Sequence, residues 1–492
     1  MLQIIPKTDK NAILYNSYIG QKGYTLLKKE LTIDQLSFIK KELNIKPYVP
    51  GAPMANEKSF PVYRESGNKI YVPRYFGEKH FGPPKEIKIP EGSPMNVKFT
   101  GVLRENQVPV VKTFIDHVLK NNGGGGLLEL PCGFGKTSLA LYIASVLEKE
   151  SLVIVHKEFL MNQWIERITQ FLPNAKVGKI QGQIIDIEGK DIVLGMLQSL
   201  SMKDYPPGIF ERFGLIIIDE VHHISSEVFS NVLFKLVPKY MLGLSATMNR
   251  KDGTSHVFKM FLGEVIYKNT EKGQHNVLVR GIRYTTNDED FNIMEYDYRG
   301  NPKFSTMISK LCTFNPRTEF ILKILIDMLV ENSQQQIMIL AHNKSILKYL
   351  YDAINHRNIA SVGYYIGGMK EQDLKISETK TIIIATYSMA AEALDIKTLT
   401  TLVMATPKTD IEQAVGRILR AKHNQPIVVD IIDTHDSFQK QWIKRKQFYK
   451  KHNYQIVECS NKPDEYNKWK TIHEHKEEPI EPLGKCLIKI KK

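Results

Sequence analysis

Cysteine is scarce in this chain, with four in 492 residues, at positions 132, 312, 459 and 486. No two stand at a metal-ligand spacing, and four are too few for a disulfide framework. That excludes a small stapled secreted domain and points to a reducing compartment. Long apolar runs are missing as well. The strongest, at 215–218, 337–341 and 382–385, hold four or five residues, far short of the ~20 that span a bilayer. The first ten residues carry Lys7, Asp9 and Lys10 beside a short apolar patch, and no small-residue cleavage site follows, so no signal peptide is expected. Neither a repeat of solenoid period nor an extended low-complexity tract is found. The expectation is a soluble intracellular protein with no membrane partner.

Apolar residues make up 42% of the chain and charged residues 24%, which is ordinary for a globular protein and excludes disorder. The length suggests about three domains. The net charge of +14 is unevenly placed. Residues 1–95 carry 15 basic and 9 acidic groups, residues 440–492 carry 14 and 7, and the middle carries 38 and 37. Basic ends around a neutral centre suit an enzyme that tracks a polyphosphate chain, although solvated lysine-rich surface would give the same count.

The texture along the chain changes twice. Residues 47–95 are punctuated by Pro and Gly, and 24–45 carry helical apolar spacing (Leu31, Ile33, Leu36, Ile39, Leu43), so a small α+β module is expected over 1–95. From 96 to 268 short apolar runs (127–130, 152–155, 192–195, 215–218, 241–244) alternate with helix-like stretches (137–149, 157–171, 225–237). Such alternation predicts a parallel sheet covered on both faces. Residues 269–315 interrupt it with Asp288-Glu289-Asp290 and Arg299-Gly300-Asn301-Pro302, and read as a connector. It resumes over 316–452, with strands at 337–340, 382–385, 402–405 and 427–430 and a helix over 409–420. Residues 453–492 read as a basic tail.

Chemistry concentrates at a few places. In Leu130-Pro131-Cys132-Gly133-Phe134-Gly135-Lys136-Thr137 a strand runs into a glycine-bearing loop and then a helix. The glycines let backbone N–H groups curl around phosphate oxygens, and the helix N-terminus favours the same anion. Lys136 would reach the β- and γ-phosphates and Thr137 would hold Mg2+. The general P-loop places a Gly where Leu130 stands, so the shorter Pro-x-Gly-x-Gly-Lys-Thr form is the one that fits. Eighty-three residues on from Lys136, the apolar run 215–218 ends in Asp219-Glu220-Val221-His222. A carboxylate at that end of a buried strand can hold the metal, and its neighbour can polarise water; a helix cap is the plainer reading of the same pair.

These motifs, followed by Ser245-Ala246-Thr247 and Gln413-x-x-Gly416-Arg417-x-x-Arg420, resemble superfamily 2 helicases in order and spacing over residues 100–440. The chain is most similar to the xeroderma-pigmentosum-B type and its relatives in large DNA viruses, including the poxvirus transcript-release branch. Leu103-Arg104-Glu105-Asn106-Gln107 is similar to that group's adenine-reading segment, which assigns Arg104 and Gln107 to the nucleotide. Met248-Asn249-Arg250-Lys251-Asp252 is similar to its Arg-Glu-Asp triplet, with Lys251 in place of the central acid.

The resemblance implies two tandem RecA-like parallel-sheet domains after the N-terminal module, with ATP and Mg2+ in the cleft between them. On a helix, Gln413, Gly416, Arg417 and Arg420 share one face, and the two arginines could stabilise charge on the γ-phosphate. Ser245, Ala246 and Thr247 would couple the ATP and nucleic-acid sites, and His156, Gln163, Trp164, Gln198, Arg250 and Thr386 would line a strand-binding groove. Core packing is the equal alternative for Trp164. Asp395, in a stretch similar to motif V, would approach the ribose or the arginine helix. In the basic run 440–451, Trp442 and Tyr449 either pack inward with Phe438, leaving a basic outer face, or stack on bases. The implied function is an ATP-dependent helicase or translocase. It would work as a monomer on nucleic acid, DNA favoured over RNA, beside transcription or repair machinery in the cytoplasm or nucleus, or packaged in a virion. The alternatives are an RNA helicase and a duplex translocase that separates no strands.

Overall fold

The computed structural model describes residues 16–48, 59–131, 133–223, 226–250, 252–269, 276–392, 396–419, 421 and 423–476. The chain divides into two compact units, Met1–Thr270 and Glu271–Lys492. Among the described residues, no helix is long and apolar enough to cross a membrane.

The first unit opens with the small module. Its strands are β1 (Tyr18–Gly20), β2 (Gly23–Leu27), β3 (Asn44–Ile45), β4 (Phe60–Pro61), β5 (Arg64–Glu65), β6 (Lys69–Val72) and β7 (Glu86–Ile87). Five form a sheet in the order β5-β6-β2-β1-β7, and β3 pairs with β4. Residues 24–27, expected as helix, are the body of β2; the helix begins only at Ile33, where Thr32 and Gln35 form a reciprocal capping box.

The main sheet of this unit contains β8 (Gly124–Glu129), β9 (Ser151–Val155), β10 (Val177–Gln181), β11 (Ile184–Asp186), β12 (Ile192–Met196), β13 (Leu215–Ile218), β14 (Tyr240–Ser245) and β15 (Val265–Lys268). Its order is β11-β10-β12-β9-β13-β14-β8-β15, parallel throughout except for β11. Alternate residues of each strand enter opposite cores, as the period of two requires. Val153, Val155, Leu215 and Ile217 join one with the helices Val108–Lys120, Lys136–Leu147 and Glu158–Phe171. Leu152, Ile154, Ile216 and Ile218 join the other, which is continuous with Ile19, Tyr24, Ile70 and Phe76 of the N-terminal module. The module is therefore part of the first unit's core. Tyr75 fastens it further: its hydroxyl accepts from the Gly125 amide (2.6 Å) and donates to the Gly125 carbonyl (3.2 Å) at the start of β8.

The second unit holds β16 (Leu278–Tyr284), β17 (Gln336–Ala341), β18 (Val362–Tyr365), β19 (Ile382–Thr386), β20 (Leu399–Met404), β21 (Ile427–Asp433), β22 (Gln455–Ser460) and β23 (Lys470–His473). The order is β18-β19-β17-β20-β21-β16-β22-β23, with β23 alone antiparallel. Residues 269–315, expected as a connector, supply β16 in the interior of this sheet, and 453–492, expected as a tail, supply β22 and β23. Arg280 and Arg283 on β16 hid the strand from a reading by apolar runs; they pair with Glu331 and Glu458 at its flanks. The helix Asp436–Lys451 buries Phe438, Trp442 and Tyr449, each at most 1% exposed. Packing, not base stacking, accounts for these three rings.

Among the described residues, two ion pairs lie wholly inside this unit. Arg317 forks onto Asp433 (2.6 and 2.8 Å) and also donates to the Ala405 carbonyl. Arg445 forks onto Asp430 (2.7 and 2.9 Å), which accepts a third bond from the Tyr449 hydroxyl. Each carboxylate is thus matched by a bidentate donor, the geometry in which a buried charge is tolerated.

Candidate nucleotide site

The site of the first unit is built at the carboxyl ends of β8, β13 and β14, the edge where open parallel sheets bind ligands. After β8, Leu130 is still held by its amide to the Ser245 carbonyl (2.9 Å). The chain then turns through Gly133 and Gly135, whose φ values of +77° and +83° only glycine adopts without strain. Gly135 caps the twelve-residue helix that opens with Lys136 and Thr137. Pro131 precedes the turn and Phe134, between the two glycines, is buried; Cys132 lies outside the described residues.

Arg104 and Gln107 meet this loop. The Gln107 amide donates to the Phe134 carbonyl (2.8 Å), and Arg104 donates to the same carbonyl and to that of Gly133. The Arg104 guanidinium also lies 5.8 Å from the Phe134 ring centroid. The side chains of the segment assigned to adenine thus reach backbone carbonyls of the glycine loop.

The carboxylates follow β13. Asp219 is buried, and each of its oxygens accepts a bond: Oδ2 from the Trp164 indole N–H (2.9 Å) and Oδ1 from the Glu220 amide (3.0 Å). Burial, then the adjacent Glu220 charge, push its carboxyl up to about 6, against the pull of Lys136 and these two donors. Glu220 takes a left-handed backbone, φ +49°, uncommon for a non-glycine residue and a mark of functional turns. There its carboxylate pairs with the Lys136 ammonium at 2.9 Å.

From Glu220 a polar chain runs on. The His222 ring Nδ1 lies 3.5 Å from Glu220 Oε2 and 2.6 Å from Ser245 Oγ. Ser245 Oγ donates to the Thr247 carbonyl (2.5 Å) and accepts from the Thr247 amide (3.3 Å), closing a turn around Ala246. Arg250 donates to the His222 carbonyl (2.7 Å) and forks onto Asp252 (3.0 and 2.6 Å). Burial works to raise the Asp252 carboxyl, but Arg250 and Thr254 outweigh it and hold it at about 2. Lys251 lies outside the described residues.

Two residues expected in a strand-binding groove are held by contacts close to the carboxylate loop. Trp164 is 1% exposed, packed in the helix-side core with its one polar atom on Asp219. Arg250 is engaged by Asp252 and by the His222 carbonyl. Indole at helical spacing is ambiguous between core and surface; only the tertiary position of Asp219 decides it. The other expected groove residues lie on separate elements. Gln198 is exposed and donates to the His156 carbonyl (3.2 Å), Gln163 is half-buried, and Thr386 ends β19 in the second unit with its hydroxyl 3.2 Å from that of Ser388.

The arginine segment of the second unit is not the long helix expected over 409–420. A single α turn, Glu412–Val415, passes into a 3₁₀ turn, Gly416–Leu419. Gln413 is half-buried and Arg417 is buried; Arg420 and Asp395 lie outside the described residues.

The donor set of Thr137 and Asp219 is all oxygen, which suits a hard cation such as Mg2+ bound with substrate phosphates. Lys136 would supply the point charge for those phosphates, and Glu220 would place a carboxylate beside them.

Residues 100–250 match the family described as "Type III restriction enzyme, res subunit". A protein of Acanthamoeba polyphaga mimivirus, provisionally named ATP-dependent RNA helicase L396, is 37% identical over 452 residues, which cover 89% of this chain and 86% of that protein. The DNA 3'-5' translocase XPB2 of Sulfurisphaera tokodaii is 30% identical over 233 residues, 45% of this chain and 47% of its own. Among solved structures, a fragment provisionally assigned as the HsdR subunit of a type I restriction enzyme from Vibrio vulnificus YJ016 shares the fold, with a TM-score of 0.52 at 17% identity over 75% of this chain and 71% of that one. The similarity to the mimivirus protein covers most of the chain, and it places the protein among the superfamily 2 helicases of the large-DNA-virus branch, nucleic-acid-dependent ATPases with two RecA-like domains.

Proposed function

We propose that this helicase couples Mg-ATP hydrolysis to movement along a DNA strand, or along the DNA–RNA hybrid of a transcription bubble. The observation that carries the reading is the continuous polar chain Lys136–Glu220–His222–Ser245, with Asp219 held from behind by Trp164. In the structure Lys136 neutralises Glu220. A γ-phosphate that draws Lys136 to itself frees the Glu220 carboxylate to orient water and take its proton. Magnesium, when bound at Thr137 and Asp219, supplies charge neutralisation at the phosphates. His222 and Ser245 relay the change at Glu220 to the loop that Arg250 pins, giving hydrolysis a route to the nucleic-acid side. The resemblance gives Arg417 the role of an arginine finger, which stabilises developing negative charge.

The DNA preference rests on the similarity to the xeroderma-pigmentosum-B type, including the Arg250–Asp252 pair and the partial match to a protein named as a DNA translocase. A second reading, RNA as substrate, is favoured by the name of the mimivirus relative. ATP turnover at fixed low salt, with no polymer, single-stranded DNA, duplex DNA or RNA, separates them. Stimulation by DNA supports the first and stimulation by RNA alone supports the second. Turnover unaffected by Lys136→Ala would overturn both.

A further inference from the structure

We infer that the turn 295–303 of the second unit is a base-stacking element for a single nucleic-acid strand, with Tyr298 as its platform and Arg299 and Lys303 as phosphate contacts. The inference deepens the helicase reading and depends on it.

Three aromatics crowd into this short stretch at the surface. Tyr298 is 88% exposed, Tyr296 50% and Phe304 38%. Exposed apolar side chains scattered singly are unremarkable, but aromatics clustered on one turn mark a contact surface. Arg299 lies over the Tyr298 ring, 5.0 Å from its centroid, and Lys303 is exposed beside them. Aromatic faces with basic neighbours are the combination that grips single strands, the ring stacking on any base and the cations meeting the backbone.

The turn is built rigidly. Asp297 accepts from the amides of Arg299 and Asn301, both at 2.9 Å, and its own amide donates to the Asn301 carbonyl (2.8 Å). Those backbone bonds hold its carboxyl below the usual range. Tyr296 and Pro302 pair across the turn, and the Lys303 amide donates to the Glu295 carbonyl (2.9 Å). A pre-formed turn presents its tip ring with little ordering left to do on binding.

Its position also fits. β16, β17 and β19 run parallel, so the chain that leaves Tyr284 emerges at the edge where β17 and β19 end at Ala341 and Thr386. At the foot of the turn Phe304 packs edge-on against His342, the residue after β17, at 6.1 Å. The exposed rings therefore continue the edge to which Thr386 belongs.

The test is equilibrium binding of fluorescein-labelled oligothymidylate and oligouridylate to the full chain by anisotropy. Tyr298→Ala should weaken binding by about 5- to 150-fold, while Tyr298→Phe should bind within about twofold of the native chain. Arg299→Ala should lower the slope of log affinity against log salt by about one. A strand carrying 2-aminopurine should lose its binding-induced quenching in Tyr298→Ala only. If the native chain binds but Tyr298→Ala binds equally well, the stacking role is wrong and the helicase reading stands. If the native chain binds neither strand, the helicase reading fails and takes this inference with it.

Discussion

Trp164→Phe isolates one hydrogen bond. The indole lies in the core, 1% exposed, and its N–H donates to Asp219 Oδ2 at 2.9 Å. Phenylalanine keeps an aromatic ring in that space and removes the donor. A hydrogen bond to a charged group is worth about 1.5–3 kcal/mol. Loss of an outer-shell partner of a metal ligand lowers metal affinity by about 10- to 100-fold, or about 1.4–2.7 kcal/mol. The two figures agree, so the expected outcome is a rise of that size in the Mg2+ concentration that half-saturates nucleic-acid-stimulated ATP turnover. Turnover at saturating Mg2+ should fall much less, because Asp219 retains the Glu220 amide on its other oxygen. A merely structural role would instead lower the unfolding midpoint and leave the Mg2+ requirement alone. Half-saturation within about twofold of the native value, in a variant whose unfolding is unchanged, would refute the reasoning.

The remaining predictions concern the scaffold. Arg317→Met leaves Asp433 charged and unpaired in the core and should cost the second unit about 3–5 kcal/mol; adding Asp433→Leu should recover most of it, as urea unfolding of the single and double variants will show. Tyr75→Phe removes the hydroxyl that joins the N-terminal module to Gly125 and should destabilise the first unit by about 1–3 kcal/mol, read as a lowered thermal midpoint. Burial pushes the Cys312 thiol up to about 11, so at about pH 8 only roughly one molecule in a thousand presents a thiolate there. Iodoacetamide should spare the Cys312 peptide in the folded chain and modify it on unfolding, as peptide mass mapping will check.

What the sequence made legible was whatever its local chemistry fixed. The apolar run 215–218 coincides with β13 because a strand buried on both faces must be apolar at every position. Gly133 and Gly135 announced the loop because no other residue relaxes into φ near +80°. Strands that carry charge were not legible: β16 reads Leu-Val-Arg-Gly-Ile-Arg-Tyr, and its arginines look like surface until Glu331 and Glu458 arrive from 51 and 175 residues away. The arginine segment misled for the opposite reason. Offsets of 0, 3, 4 and 7 fit one face of an α-helix, yet residues 416–419 form a tighter 3₁₀ turn. Trp164 is the sharpest case. The fourteen-residue helix around it allows either a core or a groove position, and the deciding contact is with Asp219, 55 residues away on another element. Motifs name the residues that meet a ligand because the ligand constrains their spacing. The residue that holds a motif carboxylate in place from behind is constrained only by the fold, so its role has to be read from the packing.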